Sequence, residues 1–236
     1  KIMKLKDTLP EGLYDILLSF YNRYFNSFIS KCYSQEGEDL ILQRFFGERR
    51  SGFYIDIGAH HPKRFSNTYM FYKKGWRGIN VEPRPGSKKY FDKVRTRDIN
   101  IEAAISTNVQ KLSYFMFDEP ALNTFSQANE AELLKDKKYK LIKRIDIQTT
   151  TLKNICDTHL PPGIQIDFLT IDTEGYDYNV LLSNDWEKYK PHLILVEDKE
   201  FKFEDPYKSK VFNYLNERNY RLAAKTFNTL IFQKNN

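Results

Sequence analysis

The sequence has few cysteines and histidines and no long apolar run. Its 236 residues include two cysteines, Cys32 and Cys156, and four histidines. The two cysteines lie far apart, without a histidine or cysteine at ligand spacing, so they indicate neither a disulfide framework nor a zinc site. No apolar stretch approaches the roughly 20 residues that cross a bilayer. We therefore expect a protein of a reducing compartment, the cytoplasm, without a resident metal.

Internal repeats and low-complexity linkers are also absent, which leaves one domain of ordinary α/β size. Aromatic residues are abundant, with 16 tyrosines and 18 phenylalanines, and predict a core rich in rings. The formal net charge of +6 is a mild basic bias that fits an anionic substrate, a membrane surface or nucleic acid and selects none of them. We expect no nucleic-acid partner.

The first 33 residues differ from the rest and predict an N-terminal helical extension to a domain at 34–236. Basic residues surround a stretch whose apolar side chains recur at helical spacings: Leu13, Ile16, Leu17, Phe20, Tyr24 and Phe28. Such a helix packs on its own domain or on a second copy of the chain, which would make a homodimer. Peripheral contact with a membrane surface is the alternative.

Two short apolar segments, each ending in an acid, are the most informative feature of the chain. One runs from Phe53 to Asp56-Ile-Gly-Ala59, and the other stops at Glu82, 26 positions after Asp56. A helical segment separates them. A strand, a glycine turn, a helix and a second strand with a terminal acid form the βαβ unit that holds a nucleoside, whose ribose hydroxyls the acid binds.

The same alternation continues along the chain and predicts a mostly parallel sheet with helices on both faces. Expected strands lie at 53–58, 78–82, 99–105, 111–117 (hairpin-like), 166–172, 192–197, 220–224 and 229–233. The expected helices include one over 34–47, capped by Ser34, and one over about 176–189. The last two strands lack a helix between them and predict a closing antiparallel hairpin. We read 118–143 as a polar insertion and 146–151 as the start of a linker.

Several segments together resemble the FkbM family of S-adenosylmethionine (SAM)-dependent methyltransferases, over about residues 33–233. They are Tyr33–Leu42, Tyr54–Pro62, Ser66–Thr68, Gly75–Gly78, Val81–Pro83 and Asp167–Tyr176. The resemblance implies a Rossmann-like seven-stranded sheet, SAM as cofactor and O-methylation of a sugar or polyketide hydroxyl, in many bacterial members on a cell-surface polysaccharide. Thr170 stands where the family commonly has lysine, so this chain departs from the family pattern at that position.

A SAM pocket needs a close backbone approach, groups for the ligand's ammonium and carboxylate, an acid for the ribose and an apolar slot for adenine. Gly58 permits the approach, and Glu82 can take both ribose hydroxyls. The predicted cofactor-binding residues are Asp56 (ammonium), Gly58 (close approach), Ser66, Asn67 and Thr68 (carboxylate), Glu82 (ribose), and Ala103 and Ala104 (adenine), together with the neighbouring Ala59 and Pro83.

The acceptor hydroxyl must lose a proton as the methyl group moves. Histidine suits a base because its ordinary pKa is about 6.5, so His60 or His61, on the loop after the first strand, is the favoured candidate. Asp172 and Glu174 would orient the acceptor or a bound cation. A carboxylate of this group, which includes Glu197 across the same crevice, is the alternative base.

Two functions of other classes stay open on the sequence. A nicotinamide-dependent oxidoreductase would also place an acid at Glu82, although no Gly-x-Gly-x-x-Gly follows the first strand. A non-catalytic binding or assembly protein could keep the Rossmann-like shell and dock through residues 1–33.

Overall fold

In the computed structural model, which describes residues 9–24 and 30–235, the chain divides after Cys32 into two units. The first unit contains helix α1 (Glu11–Tyr24), which begins directly after Pro10. Large apolar side chains of this helix are exposed: Leu13, Ile16, Leu17, Phe20 and Tyr24. No helix within the described residues is long and apolar enough to cross a membrane. Phe28, predicted to continue the apolar face, lies outside those residues.

The second unit alternates strands and helices along most of its length. Its elements are α2 (Glu38–Phe46), β1 (Phe53–Ile57), α3 (Tyr69–Lys74), β2 (Arg77–Val81), α4 (Ser87–Val94), β3 (Ile99–Ile101), β4 (Ala104–Ile105), β5 (Lys111–Phe117), α5 (Gln127–Lys135), β6 (Leu141–Thr150), α6 (Leu152–His159), β7 (Phe168–Ile171), α7 (Asp177–Leu182), β8 (Leu193–Glu197), α8 (Lys210–Asn216), β9 (Tyr220–Lys225) and β10 (Thr229–Lys234).

Seven strands form the main sheet in the order β3-β2-β1-β7-β8-β10-β9. The first five run parallel, and β10 is antiparallel to both β8 and β9. The predicted parallel sheet with a closing antiparallel hairpin is therefore confirmed. Ile57 lies opposite both Val81 and Ile171, so β1, β2 and β7 end level with one another. The residues that follow these ends meet at one edge of the sheet.

The central strands are apolar on both faces because both faces are covered. All five residues of β1 are buried, and the core divides into one cluster on each side of the sheet. On one side, the rings of Phe46, Phe71 and Trp76 pack around Phe168, with centroids 5.1 to 6.0 Å from it. This aromatic cluster accounts for much of the ring content noted in the sequence.

A second, smaller sheet has the strand order β4-β6-β5 and corrects the reading of residues 99–151. The predicted strand at 99–105 is two strands, of which only β3 belongs to the main sheet. Within the segment 146–151, read as the start of a linker, residues 146–150 are the end of the ten-residue strand β6 and Thr151 is the N-cap of α6. The alternation Ile145-x-Ile147-x-Thr149 marks this strand, but the lysines before it concealed the pattern.

Two helices are shorter than predicted, for local reasons. Ser34 was expected to begin a helix, but its hydroxyl donates to the Asp39 carboxylate at 2.9 Å and α2 begins at Glu38. The helix expected over 176–189 ends at Leu182. The next residue, Ser183, accepts the Leu152 amide at 2.9 Å and so caps the neighbouring helix α6.

Replacing Phe168 by alanine should lower the free energy of unfolding by about 3–5 kcal/mol, because the cavity lies inside a packed ring cluster. Urea denaturation followed by far-UV circular dichroism measures the change. Phe227→Ala is the matched control, since that ring is 84% exposed. Equal destabilisation by both substitutions would contradict the assignment of Phe168 to the core.

Candidate active site

A pocket opens where β1, β2 and β7 end. The turns after these strands form one wall, and residues of the small sheet and of the turn after β5 form the other. The lining residues are Gln35, Asp56, Ile57, Gly58, Ala59, His60, Phe65, Asn67, Val81, Glu82, Pro83, Ala103, Ile105, Tyr114, Pro120, Ala121, Asn123, Phe125, Asp172, Thr173, Glu174 and Tyr176. Most predicted site residues lie among them.

Gly58 makes the turn that ends β1, with φ at +78°. A Cβ atom on this residue would lie 1.8 Å from the carbonyl oxygen of Asp172, so no side chain fits. The amides of Gly58 and Ala59 both donate to the Val81 carbonyl, at 2.9 and 3.1 Å. Gly58 was predicted to let a ligand approach the backbone. In this structure it lets the backbone segments at the ends of β1, β2 and β7 pack against one another.

The Glu82 carboxylate is held in place by the backbone. Its Oε2 accepts the His60 amide at 2.8 Å and its Oε1 accepts the Arg84 amide at 3.0 Å. Burial raises the pKa of Glu82, and these two amides oppose the rise. Each oxygen retains a lone pair toward the pocket, so the carboxylate can accept two further hydrogen bonds.

The apolar part of the pocket lies beside Glu82. Pro83, Ala103, Ile105 and Tyr114 line it, and their apolar side chains are of the kind that an adenine ring packs against. The predicted partner Ala104 belongs to β4, is buried and does not line the pocket. The adjacent residues Ala103 and Ile105 have that position because side chains of an extended segment alternate between its faces.

A buried arginine underlies the loop between β1 and α3. Arg95 donates through Nε to the Pro62 carbonyl at 2.9 Å and through Nη1 to the Tyr54 hydroxyl at 3.1 Å. Its Nη2 donates to Ser66 Oγ at 3.0 Å and Thr68 Oγ1 at 2.7 Å. The guanidinium therefore holds the middle and the C-terminal end of the loop that carries the histidines, and joins them to β1.

Asp98 is the counter-ion of this arginine. Its Oδ2 lies 3.6 Å from Arg95 Nη1, and both side chains are fully buried. The same carboxylate accepts hydrogen bonds from the Tyr54 hydroxyl at 2.8 Å, the Asn80 amide group at 3.0 Å and the Gly78 backbone at 3.0 Å. Every polar group of this pair thus has a partner, which a buried ion pair requires.

Of the three residues expected to bind a ligand carboxylate, only Asn67 lines the pocket. Ser66 and Thr68 are buried, bond to Arg95 and do not line the pocket, which corrects their predicted role. Asn67 does line it, and its side-chain amide donates to Thr170 Oγ1 at 2.9 Å. Asp56 also lines it, accepts the Thr68 hydroxyl at 2.7 Å and has its pKa raised to about 6 by burial.

The two histidines have different positions. His60 lines the pocket in a left-handed conformation with φ at +49°, and its buried Nε2 has no hydrogen-bond partner within the described part of the chain. Burial and the neighbouring positive charge of Arg64 lower its pKa to about 4. His61 Nδ1 accepts the amides of Lys63 and Arg64, at 3.0 and 2.9 Å, and the ring does not line the pocket. His61 is therefore a turn residue in this structure.

Three acids meet at the other end of the pocket, which Asp172 and Glu174 line and Glu197 does not. Oxygens of Asp172, Glu174 and Glu197 lie within 4.8 Å of one another, a spacing that could hold a divalent cation. The Lys199 ammonium lies 2.9 Å from both Glu174 and Glu197 and supplies a positive charge to the group. The lysine and the three acids therefore form a cluster of ion pairs.

Crowding of negative charge raises the proton affinity of this cluster. The pKa of Asp172 is raised by its removal from bulk water and by the charges of Glu197 and Glu174, although its side chain stays accessible from the pocket. Burial and the Glu174 charge raise the pKa of Glu197 to about 7. Carboxyl groups this close titrate as a unit, so a proton can be gained or lost here near neutral pH.

Sequence reasoning missed the residues that come from distant segments. Tyr114, Asn123 and Phe125, which form the wall opposite the strand ends, lie in the region read as a hairpin and a polar insertion. Lys199 could have been predicted, because it follows the candidate site residue Glu197 by two residues. Arg95 had none, because nothing in its local pattern separates a buried arginine from an exposed one.

The model of the methyltransferase FkbM domain matches residues 56–222. Two solved structures, each 9% identical, are similar in outline. One is a TehB-like SAM-dependent methyltransferase from Corynebacterium glutamicum (95% of this chain and 97% of that chain covered, TM-score 0.38). The other is an O-methyltransferase from Bacillus cereus in complex with SAH (98% and 94% covered, TM-score 0.33). No curated protein matches significantly. Both structural similarities are weak, whereas the family match spans most of the chain.

Arg95→Ala should lower the free energy of unfolding by about 3–5 kcal/mol, because it leaves the buried Asp98 carboxylate without its counter-ion. Urea titration measures the loss, and Arg77→Ala, which removes an exposed arginine of β2, is the control. If the two variants unfolded at the same urea concentration, the buried network would not support the loop as described.

Proposed function

Since this chain belongs to the FkbM-domain methyltransferases, which take their methyl group from SAM, we propose that it is an O-methyltransferase acting on a hydroxyl of a sugar or glycan. The observation that best supports this proposal is the acid cluster at the pocket, where Asp172 can accept the proton of that hydroxyl. The nicotinamide alternative loses its support, because the family is one of methyltransferases and the sheet ends in an antiparallel hairpin.

The residues of the pocket fit SAM. Glu82 keeps free lone pairs for the ribose hydroxyls, and Pro83, Ala103, Ile105 and Tyr114 offer an apolar slot for adenine. The orphaned His60 Nε2 is a buried polar atom that a ligand would satisfy. When bound, SAM supplies an electrophilic methyl group on a sulfonium that leaves as a neutral thioether, so the chain needs no acid for the leaving group.

The acceptor half of the reaction requires proton removal. As the acceptor oxygen gains its bond to the methyl carbon, its O–H bond breaks and the proton passes to the carboxylate pair of Asp172 and Glu197. Their raised proton affinity suits a base that works near neutral pH. Lys199 keeps part of the cluster ionised through its bonds to Glu174 and Glu197.

This assignment replaces the histidine base expected from the sequence. His61 uses Nδ1 to hold its own turn. His60 faces the pocket, but with a pKa of about 4 it is a weak proton acceptor. We assign His60 to ligand contact.

The acceptor class rests on the side chains beside the acids. Phe65, Phe125 and Tyr176 line the pocket and offer ring faces against which the C–H face of a sugar can pack. Carboxylates accept hydrogen bonds from hydroxyl groups, and both features favour a polyhydroxylated acceptor. A bacterial surface polysaccharide or its precursor, made in the cytoplasm, is the acceptor that we propose.

The apolar face of α1 supports a further part of the proposal, association with a second copy of the chain. Its exposed side chains include Ile16 at 67% and Phe20 at 57%. A homodimer would cover them, and a membrane surface is the alternative partner.

Glu82→Ala should weaken SAM binding by about 1.5–3 kcal/mol, the scale of a hydrogen bond to a charged group. Isothermal titration with SAM and its demethylated product measures the loss, and a parallel NADH titration addresses the oxidoreductase alternative. Glu187→Ala removes an acid whose side chain is 94% exposed and is the control. Unchanged SAM affinity in the Glu82 variant would remove this residue from the ribose site.

Asp172→Asn should lower kcat by about 10²–10⁴, the usual contribution of a general base. His60→Asn should instead raise KM for SAM with a smaller effect on kcat. The wild-type rate should fall as pH drops through about 7, because the Glu197 pair then takes up the proton that it must be free to accept.

The assay uses saturating SAM, a panel of glycan acceptors and thermal unfolding of each variant as a folding control. A loss of turnover in His60→Asn with normal turnover in Asp172→Asn would restore the histidine as base. Loss of activity with a chelator and its recovery with Mg²⁺ would assign the acids to a metal. SAM binding without turnover on any acceptor would favour the non-catalytic alternative.

A further inference from the structure

Positive charge is concentrated at the tip of the small sheet, between α5 and β6. Residues 134–143, here named the basic apex, contain five lysines and one aspartate, a net charge of +4 in a chain whose formal total is +6. All five lysines are exposed, and none forms an ion pair with another described residue: Lys135, Lys137, Lys138, Lys140 and Lys143.

The acids near the basic apex do not neutralise it by pairing. Asp136 Oδ1 accepts the Lys138 backbone amide and Asp118 Oδ1 accepts the Lys140 backbone amide, each at 3.0 Å. Both carboxylates therefore stabilise the turn itself. Glu132, on the last turns of α5, is exposed. The lysine ammonium groups consequently remain available to an anionic partner.

Two aliphatic side chains are exposed at the ends of the same segment. Leu134 is 48% exposed and Ile142 is 65% exposed. Exposed aliphatic groups strengthen binding only where the partner has an apolar region that can cover them. Apolar groups surrounded by lysines are typical of a surface that lies at the headgroup boundary of an anionic bilayer.

The basic apex is directly connected to the pocket wall. The Asp118 amide donates to the Lys140 carbonyl at 3.0 Å. The chain then continues through Glu119, which is paired with Arg64 of the histidine loop, into the pocket-lining residues Pro120 and Ala121. A surface held by the basic apex would therefore lie on the side of the molecule from which the small sheet lines the pocket.

We infer that the basic apex is a membrane-docking surface, which binds the headgroups of anionic lipids through its lysines and buries Leu134 and Ile142 among them. This inference does not depend on the proposed methyl transfer, because the experiment that tests it measures membrane binding alone. The partner is the lipid surface rather than an acidic polymer, because the exposed aliphatic pair has a use only in the former.

The test is flotation of the full chain with vesicles of equal parts phosphatidylglycerol and phosphatidylcholine, against pure phosphatidylcholine. We expect binding to the anionic vesicles only. The triple variant Lys137→Gln, Lys138→Gln, Lys140→Gln should lower the partition coefficient by about 100-fold, from the usual contribution of each lysine at an anionic surface. Leu134→Ser with Ile142→Ser should lower it while leaving the charge unchanged.

The matched control is Lys89→Gln, Lys93→Gln, Lys210→Gln, which removes the same charge from exposed positions on α4 and α8. If the control and the apex variant lost vesicle binding equally, net charge alone would account for the binding, and the proposal would be overturned. Undiminished binding of the apex variant would assign binding to another segment, such as α1. Binding to a soluble acidic polysaccharide, lost in the lysine variant but kept in the serine variant, with no vesicle binding, would overturn the lipid assignment in favour of a polyanion.

Discussion

A single buried guanidinium, that of Arg95, sets the position of the loops at one end of the pocket. Its donors reach the Pro62 carbonyl, the hydroxyls of Ser66 and Thr68 and the hydroxyl of Tyr54 on β1. Through Thr68 the same network reaches Asp56. A charge this deeply buried is tolerable only when every donor is satisfied. The loop, the start of α3 and the end of β1 therefore cannot shift independently of one another.

The opposite end of the pocket is governed by crowding of negative charge, which Lys199 offsets in part. The pKa of both Glu82 and Asp172 is raised, but two backbone amides stabilise the Glu82 carboxylate whereas two further acids crowd Asp172. When two carboxyl groups lie in different environments, their proton affinities differ and they can have different roles in catalysis. Glu82 is suited to bind hydroxyls as an anion, and Asp172 is suited to take up a proton.

The sequence predicted the parts of the fold that depend on local periodicity. Strand β1, the acid Glu82 and the closing hairpin each lie within a short window of apolar residues and turn residues. The small sheet escaped prediction, because β6 is half exposed and its alternation begins inside a run of lysines. Arg95 and Tyr114 enter the site from segments that meet the strand ends only after folding. Their roles depend on tertiary packing and leave no local pattern.

The contact between Gly58 and the Asp172 carbonyl also bears on how such a protein can diversify. The wall of the pocket at the strand ends is backbone packed on backbone, so few substitutions are open to it. The opposite wall includes residues of a separate small sheet and of the segment that connects its strands β5 and β6. Acceptor range can therefore evolve by exchange of residues 118–140, while Tyr114 and the rest of the nucleoside-binding half are inherited unchanged. Design of new acceptor preferences has its natural starting point in that module.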